Sequence, residues 1–94
     1  MGEWVAHHPT WEVRANHLVG EFATTNYARS AQLVQAQAAI AQRLNHHPEL
    51  ILSYGRLRVE LWTHDQSGLT QLDLDYALAF DELIAVHFRD VLAD

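Results

Sequence analysis

The run Leu50-Ile51-Leu52-Ser53-Tyr54-Gly55-Arg56-Leu57-Arg58-Val59-Glu60-Leu61-Trp62 carries the clearest strand signal of the chain. Leu50 to Tyr54 is apolar, Gly55-Arg56 breaks the run, and Leu57, Val59 and Leu61 then alternate with Arg58, Glu60 and Trp62. Alternation puts one set of side chains on a buried face and the other on an open one. Two such strands around a glycine turn read as a β-hairpin. Asp65-Gln66-Ser67-Gly68 then reads as a loop. Thr70 and Asp73 fit the capping box that opens a helix. That helix is expected from about Gln71 to Leu92, with Leu72, Tyr76, Phe80, Leu83, His87 and Val91 on its inner face.

Upstream, Thr24-Thr25-Asn26 is a helix N-cap cluster. Tyr27 to Leu44 is rich in helix-forming Ala, Leu, Gln and Arg. Tyr27, Ala31, Val34, Ala38, Ala41 and Leu44 recur at three or four residues and define an expected apolar stripe. Gln32, Gln35, Gln42 and Arg43 fall elsewhere on the cylinder. Pro48 is expected to stop the helix, because the residue before a proline disfavours the helical region. Between Trp11 and Phe22, Trp11, Val13, Leu18, Gly20 and Phe22 partly alternate. Ala15-Asn16-His17 interrupts them as a turn, which reads as a strand pair or one bent strand. Residues 1–10 read as irregular or as a short helix. Strand, helix, strand, strand, helix gives an α+β fold, an antiparallel sheet with helices packed on one face.

The chain has 94 residues, so residues 1–94 form one small domain. A chain of this size buries roughly 65% of its unfolded surface, and oligomerisation is a common remedy for the modest stability that results. There is no cysteine, which excludes disulfide and thiolate chemistry. The formal net charge is -6 and every basic residue is arginine, so no basic stripe marks a nucleic-acid binder. No apolar run approaches the roughly 18 residues of a membrane helix. Met1-Gly2-Glu3-Trp4-Val5-Ala6 lacks the basic start and apolar core of a signal peptide. The expectation is a cytoplasmic protein with no nucleic-acid or membrane partner.

Seven histidines is a high number for this length. Histidine's unperturbed pKa lies nearest neutrality. His46-His47-Pro48, Tyr54, His64 and Asp73 form a spaced set, with no glycine-rich loop or nucleophile motif beside it. Such a set points to proton transfer on a neutral small molecule. His46 and His47 follow a helix C-terminus, where protonated imidazole is favoured. Adjacent residues in extended chain point opposite ways, so one can face a pocket and the other its wall. His64 is expected at the end of the Leu57–Thr63 strand. Each residue also has a plain reading. The histidines can be solvated loop residues, Asp73 a helix cap, and Tyr54 a hairpin aromatic packed on the sheet. Two histidines and a carboxylate can also bind zinc or iron. Adjacent histidines rarely reach one ion together, however, and no H-x-H or H-x-x-x-H spacing occurs, so no metal is expected.

The stretch from Gln42 to Asp81 resembles the pterin-4a-carbinolamine dehydratase family. The likeness rests on Leu44-Asn45-His46-His47-Pro48-Glu49, Tyr54, Leu61-Trp62-Thr63-His64-Asp65, Gly68-Leu69-Thr70, Asp73, Ala77 and Asp81. Trp11-Glu12 resembles the family's glycine-tryptophan turn, and the whole likeness runs from about residue 11 to 90. It implies a two-layer sandwich that dehydrates a 4a-hydroxytetrahydropterin to a quinonoid dihydropterin, in recycling of tetrahydrobiopterin, without metal or cofactor. It implies His46 and His64 as acid and base, His47 as a holder of the pterin, and Asp73 as an orienting residue. Asn45, Trp62, Thr63, Asp65 and Gln42 would lie along the pterin pocket. It also implies a homodimer or homotetramer. Gln42 stands where the family often has glutamate, Leu50 and Leu52 where tryptophan and asparagine are common, and the first helix is short or missing. An uncharged residue 42 would leave the imidazoles less protonated and shift the optimum toward acid. The alternative is a dehydratase-like fold used as an assembly or regulatory factor, as in members of this fold that act as a transcriptional dimerisation cofactor and as an assembly helper for a carbon-fixing enzyme.

Overall fold

The computed structural model describes residues 2–63 and 68–93. The chain runs α1 (Gly2–His7), β1 (Trp11–Arg14), β2 (His17–Ala23), α2 (Tyr27–Leu44), β3 (Glu49–Ser53), β4 (Arg56–Leu61) and α3 (Gln71–His87), then a 3₁₀ turn, Arg89–Val91. The strands form one antiparallel sheet in the order β1-β2-β4-β3. The helices pack on one face of it, which is the expected α+β sandwich. Trp11 to Phe22 is a strand pair rather than one bent strand. Ala15 and Asn16 turn the chain with φ of 48° and 65°. Two positive φ values in a two-residue loop match the right-handed twist of the flanking strands.

Register places Trp11 opposite Gly20 and Gly20 opposite Val59. The indole lies flat against the glycine: a Cβ there would sit 2.8 Å from two of its ring carbons. Trp11 also meets Phe22 and Phe80 edge-on, at centroid distances of 5.8 and 6.3 Å. Its Nε1–H donates to the Asp81 carboxylate at 3.0 and 3.1 Å. Gly20 therefore lets the largest core side chain bridge the sheet to α3. Leu18, Leu57, Val59, Leu61, Tyr76, Ala77 and Phe80 complete the buried centre.

The bounds of α2 match the sequence expectation, with Asn26 as N-cap accepting the Arg29 N–H at 2.9 Å. Its buried face matches in part: Ala41 is buried and Val34 and Leu44 pack against the core, as expected. Ser30, Leu33, Gln37, Ile40 and Ala41 point inward, whereas Tyr27 is half exposed and Ala31 and Ala38 face solvent. The true stripe contains two polar residues, which hid it. Both are satisfied inside: Ser30 Oγ donates to the Asn26 carbonyl at 2.7 Å, and Tyr76 O–H donates to Gln37.

The last helix stops at His87 rather than Leu92. Arg29, in the first turn of α2, caps its end. Its Nη2 donates to the His87 carbonyl at 2.6 Å, its Nε to Asp90 at 2.9 Å, and its guanidinium covers the Phe88 ring at 4.2 Å. Chain beyond α3 then bonds back to the end of β2 and the connection that follows it, Thr25 N–H to Val91 O and Ala93 N–H to Ala23 O. Of the expected α3 face, Tyr76, Phe80 and Val91 are buried and Leu83 partly so, while Leu72 and His87 are exposed. Among the described residues no helix is long and apolar enough to cross a membrane.

Burial pushes the Asp81 carboxyl above its ordinary range, with the Trp11 hydrogen bond and His8 acting against it. A raised carboxyl holds its proton better folded than unfolded. Its charge therefore costs nothing below about pH 3.9 and lowers stability as pH rises through the raised folded value. Asp81→Asn keeps an oxygen acceptor for the indole and removes the charge. Its urea midpoint should match or exceed that of the parent at pH 7, and the gap should close toward about pH 4. A gap that widens on acidification would contradict this assignment.

Candidate functional site

The site is built where the C-terminus of α2 meets the N-terminus of α3. Asn45 takes the left-handed conformation, φ 48°. Its N–H bonds the Gln42 carbonyl at 3.2 Å, and the His46 N–H bonds the Ala41 carbonyl at 3.0 Å. This pair of bonds is a Schellman ending, so Asn45 terminates α2 and Pro48 merely lies beyond it. Asparagine tolerates this conformation better than most residues. The reversal carries His46 back into the fold, where only 9% of it is exposed.

Asp73 occupies the third position of α3 and is fully buried. Its Oδ1 lies 2.6 Å from His46 Nε2. Its Oδ2 accepts the Thr70 backbone N–H at 2.8 Å and the Thr63 hydroxyl at 2.8 Å. Thr63 and Thr70 hydroxyls are also 2.8 Å apart. Thr63 has one proton and gives it to Asp73, so Thr70 donates to Thr63. Every partner thus points a hydrogen at one carboxylate, which sits at the positive end of the α3 dipole. The carboxylate accepts, so His46 Nε2 carries a proton and Nδ1 is the ring nitrogen left for chemistry. Among the described residues Nδ1 has no partner. Asp73 thus caps α3 through one oxygen and hydrogen-bonds His46 through the other.

The other expected site residues are distributed around this centre. His47 is exposed, as alternation beside a buried His46 requires, and Asn45 is exposed on the Schellman turn. Gln42 lies one turn before His46 with its side chain in solvent. A charge there would be strongly screened, which reduces the expected effect of its neutrality. Trp62 packs on the opposite sheet face, its ring stacked on His17 at 4.3 Å and 9°. Tyr54 does not join the set and does not pack on the sheet. It sits at the tip of the β3–β4 hairpin, 87% exposed. Five residues of strand separate it from the His46 end, roughly 17 Å at 3.3–3.4 Å per residue. His64 and Asp65 lie outside the described residues. Among those described, no three His, Cys, Asp or Glu side chains converge as a metal site. Thr70 and His17 were not expected here. The capping box singles out Thr70 only as a cap, and His17 faces Trp62 only once the β2–β4 register is known.

A sequence profile described as Pterin 4 alpha carbinolamine dehydratase matches residues 2–83. The chain belongs to the pterin-4a-carbinolamine dehydratase family. A relative from Chloroflexus aurantiacus, provisionally named pterin-4-alpha-carbinolamine dehydratase, is 34% identical over 89% of this chain and 90% of its own. One of the same provisional name from Metallosphaera sedula is 38% identical over 78% of this chain and 76% of its own. The crystal structure of a transcriptional coactivator/pterin dehydratase from Brucella melitensis superposes with a TM-score of 0.81, covering 88% of this chain and 90% of that one at 26% identity. A pterin dehydratase-like protein described as a RuBisCO assembly factor in the alpha-carboxysome shares the fold at a TM-score of 0.63 and 20% identity, covering 78% of this chain and 84% of that one.

Thr63→Val removes one donor from Asp73 at nearly constant volume. It should cost about 1–3 kcal/mol, the range for a buried acceptor losing a partner. Urea denaturation measures it. An unchanged midpoint would mean that Asp73 does not depend on the Thr63 hydroxyl.

Proposed function

We propose that this chain dehydrates a 4a-hydroxytetrahydropterin to the quinonoid dihydropterin by histidine acid–base catalysis, in recycling of tetrahydrobiopterin. The observation that carries this reading is the buried His46–Asp73 pair with its two threonines. Burying an imidazole against a carboxylate is costly unless every partner is satisfied. The Thr70 and Thr63 bonds serve the fold, but capping a helix does not require the second oxygen to hold an imidazole.

The reaction needs two proton transfers. The C4a–O bond breaks as the hydroxyl takes a proton and leaves as water. N5 loses its proton, and the C4a–N5 double bond forms. With Nε2–H tied to Asp73, His46 works through Nδ1. Neutral, it accepts the N5 proton; protonated, it donates to the departing hydroxyl. His64 is assigned the complementary role by family likeness. His47, exposed beside His46, is assigned to hold the pterin, with Asn45, Thr63, Asp65 and Gln42 around the pocket, whereas Trp62, stacked on His17 on the far face of the sheet, is not assigned there. No metal or cofactor is needed for these steps. The reading includes a cytoplasmic homodimer or homotetramer.

The test is a dehydration assay on a 4a-hydroxytetrahydropterin generated in situ. The chain should accelerate loss of the hydroxyl above the solution rate. His46→Ala should lower kcat by roughly 10²–10⁴-fold, the usual contribution of one general acid or base. Turnover equal to the uncatalysed rate in a folded, pterin-exposed protein would sink the reading. So would full activity in His46→Ala.

Assembly is tested separately by light scattering at micromolar concentration. A mass of two or four chains is expected, and a stable monomer would overturn that part of the reading.

A further inference from the structure

A cluster on the helix-free face of the sheet is not used by the mechanism above. Leu18 pairs with Leu61, so the same register sets His17 opposite Trp62. The two rings stack, with centroids 4.3 Å apart and planes 9° from parallel. His17 Nδ1 is hydrogen-bonded to Glu60. The other oxygen of Glu60 accepts Arg58 Nη2 at 2.8 Å. Glu60 is the most shielded of the three, its side chain 16% exposed against 32% for His17 and Arg58.

Other charged residues flank this cluster in the register. Arg14 on β1 is opposite His17 in register but binds Glu12 and Glu21. Glu49 on β3 is opposite Glu60. The His17 hydrogen bond, followed by the Arg58 charge, holds the Glu60 carboxyl below its ordinary range against the effect of burial. Glu60 is thus an anion at neutral pH, able to fix the imidazole in its plane.

This clamp lies one peptide bond from the candidate site. β4 ends at Leu61, and the next pairing is the isolated bridge between Thr63 and Gly68. Trp62 and Thr63 therefore lie just past the end of the regular ladder. Neighbouring side chains of an extended segment project to opposite faces. Trp62 stacks outward on His17, and Thr63 reaches inward to Asp73. A large ring pinned on one face sets the rotation of the peptide that carries the hydroxyl on the other.

We propose that His17 is a positioning residue of the dehydratase site: clamped by Glu60, it holds Trp62 and thereby keeps the Thr63 hydroxyl on Asp73, which orients His46. This rests on the dehydratase reading for its kinetic part alone.

The experiment compares the full chain with His17→Ala and His17→Phe. Phenylalanine keeps a flat ring to stack on Trp62 and loses the Glu60 bond. His17→Ala should lower kcat on the order of tenfold with KM changed less than about twofold, since small displacements of aligned groups act on turnover. His17→Phe should recover at least half of the loss. In parallel, proton NMR follows the downfield His46 Nε2–H bonded to Asp73. Its exchange with water should quicken in His17→Ala and return toward the parent in His17→Phe. A parent chain that shows this resonance responding to His17 but no turnover removes the dehydratase reading and leaves the positioning role standing. Unchanged kcat and unchanged exchange in His17→Ala overturn the positioning role. So does a loss that tracks the thermal midpoint and is not rescued by phenylalanine, because that would mark His17 as structural only.

Discussion

The structure turns on one carboxylate. Asp73 is fully buried, and its two oxygens serve two purposes. One oxygen opens α3 by taking the Thr70 N–H, and it also takes the Thr63 hydroxyl. The other holds His46. A buried anion survives only with several donors aimed at it. Here they come from the end of α2, the end of β4 and the start of α3, three separate elements. The carboxylate is thus a fold constraint as much as a chemical one. The antiparallel course of α2 and α3 is set at this end by Asp73 and at the other by Arg29, which binds the His87 carbonyl and Asp90.

Between those two ties lies the apolar layer. Trp11 crosses from the sheet to α3 because Gly20 leaves room beneath it, and Asp81 receives its N–H. Most buried side chains are aliphatic or aromatic. Two of the polar ones, Ser30 and Gln37 on α2, are matched by Asn26 and Tyr76. The helix-free face is different in kind. There Glu12, Glu21 and Glu60 engage Arg14, Arg58 and His17 in a surface ionic mat.

Much of this was legible in the sequence. Alternation at Leu57, Val59 and Leu61 located the hairpin, and the run of good helix formers bounded α2 at Tyr27 and Leu44. The inward face of α2 was legible only in part, at Val34, Ala41 and Leu44. Periodicity favours the stripe through Tyr27, Ala31 and Ala38, whereas burial follows Ser30, Leu33, Gln37 and Ile40. Only the tertiary partners Asn26 and Tyr76 make the polar pair acceptable inside. The end of α3 was missed for a similar reason, since its stop comes from Arg29, more than fifty residues upstream. At the site, His46, Thr63 and Asp73 could be named together, but a sequence does not show that one oxygen of Asp73 caps α3 while the other meets His46. Tyr54 failed because spacing carries no direction: the hairpin takes it away from the His46 end.

The double use of Asp73 has a dynamic consequence. Helix ends open and close more readily than helix centres. Any fraying of the first turn of α3 releases the Thr70 N–H and, in the same event, removes the support of His46. The amide of Thr70 is therefore a built-in reporter of site integrity. Its protection against solvent exchange measures how long the imidazole stays aligned, and a ligand that engages His46 slows that exchange without touching the helix itself.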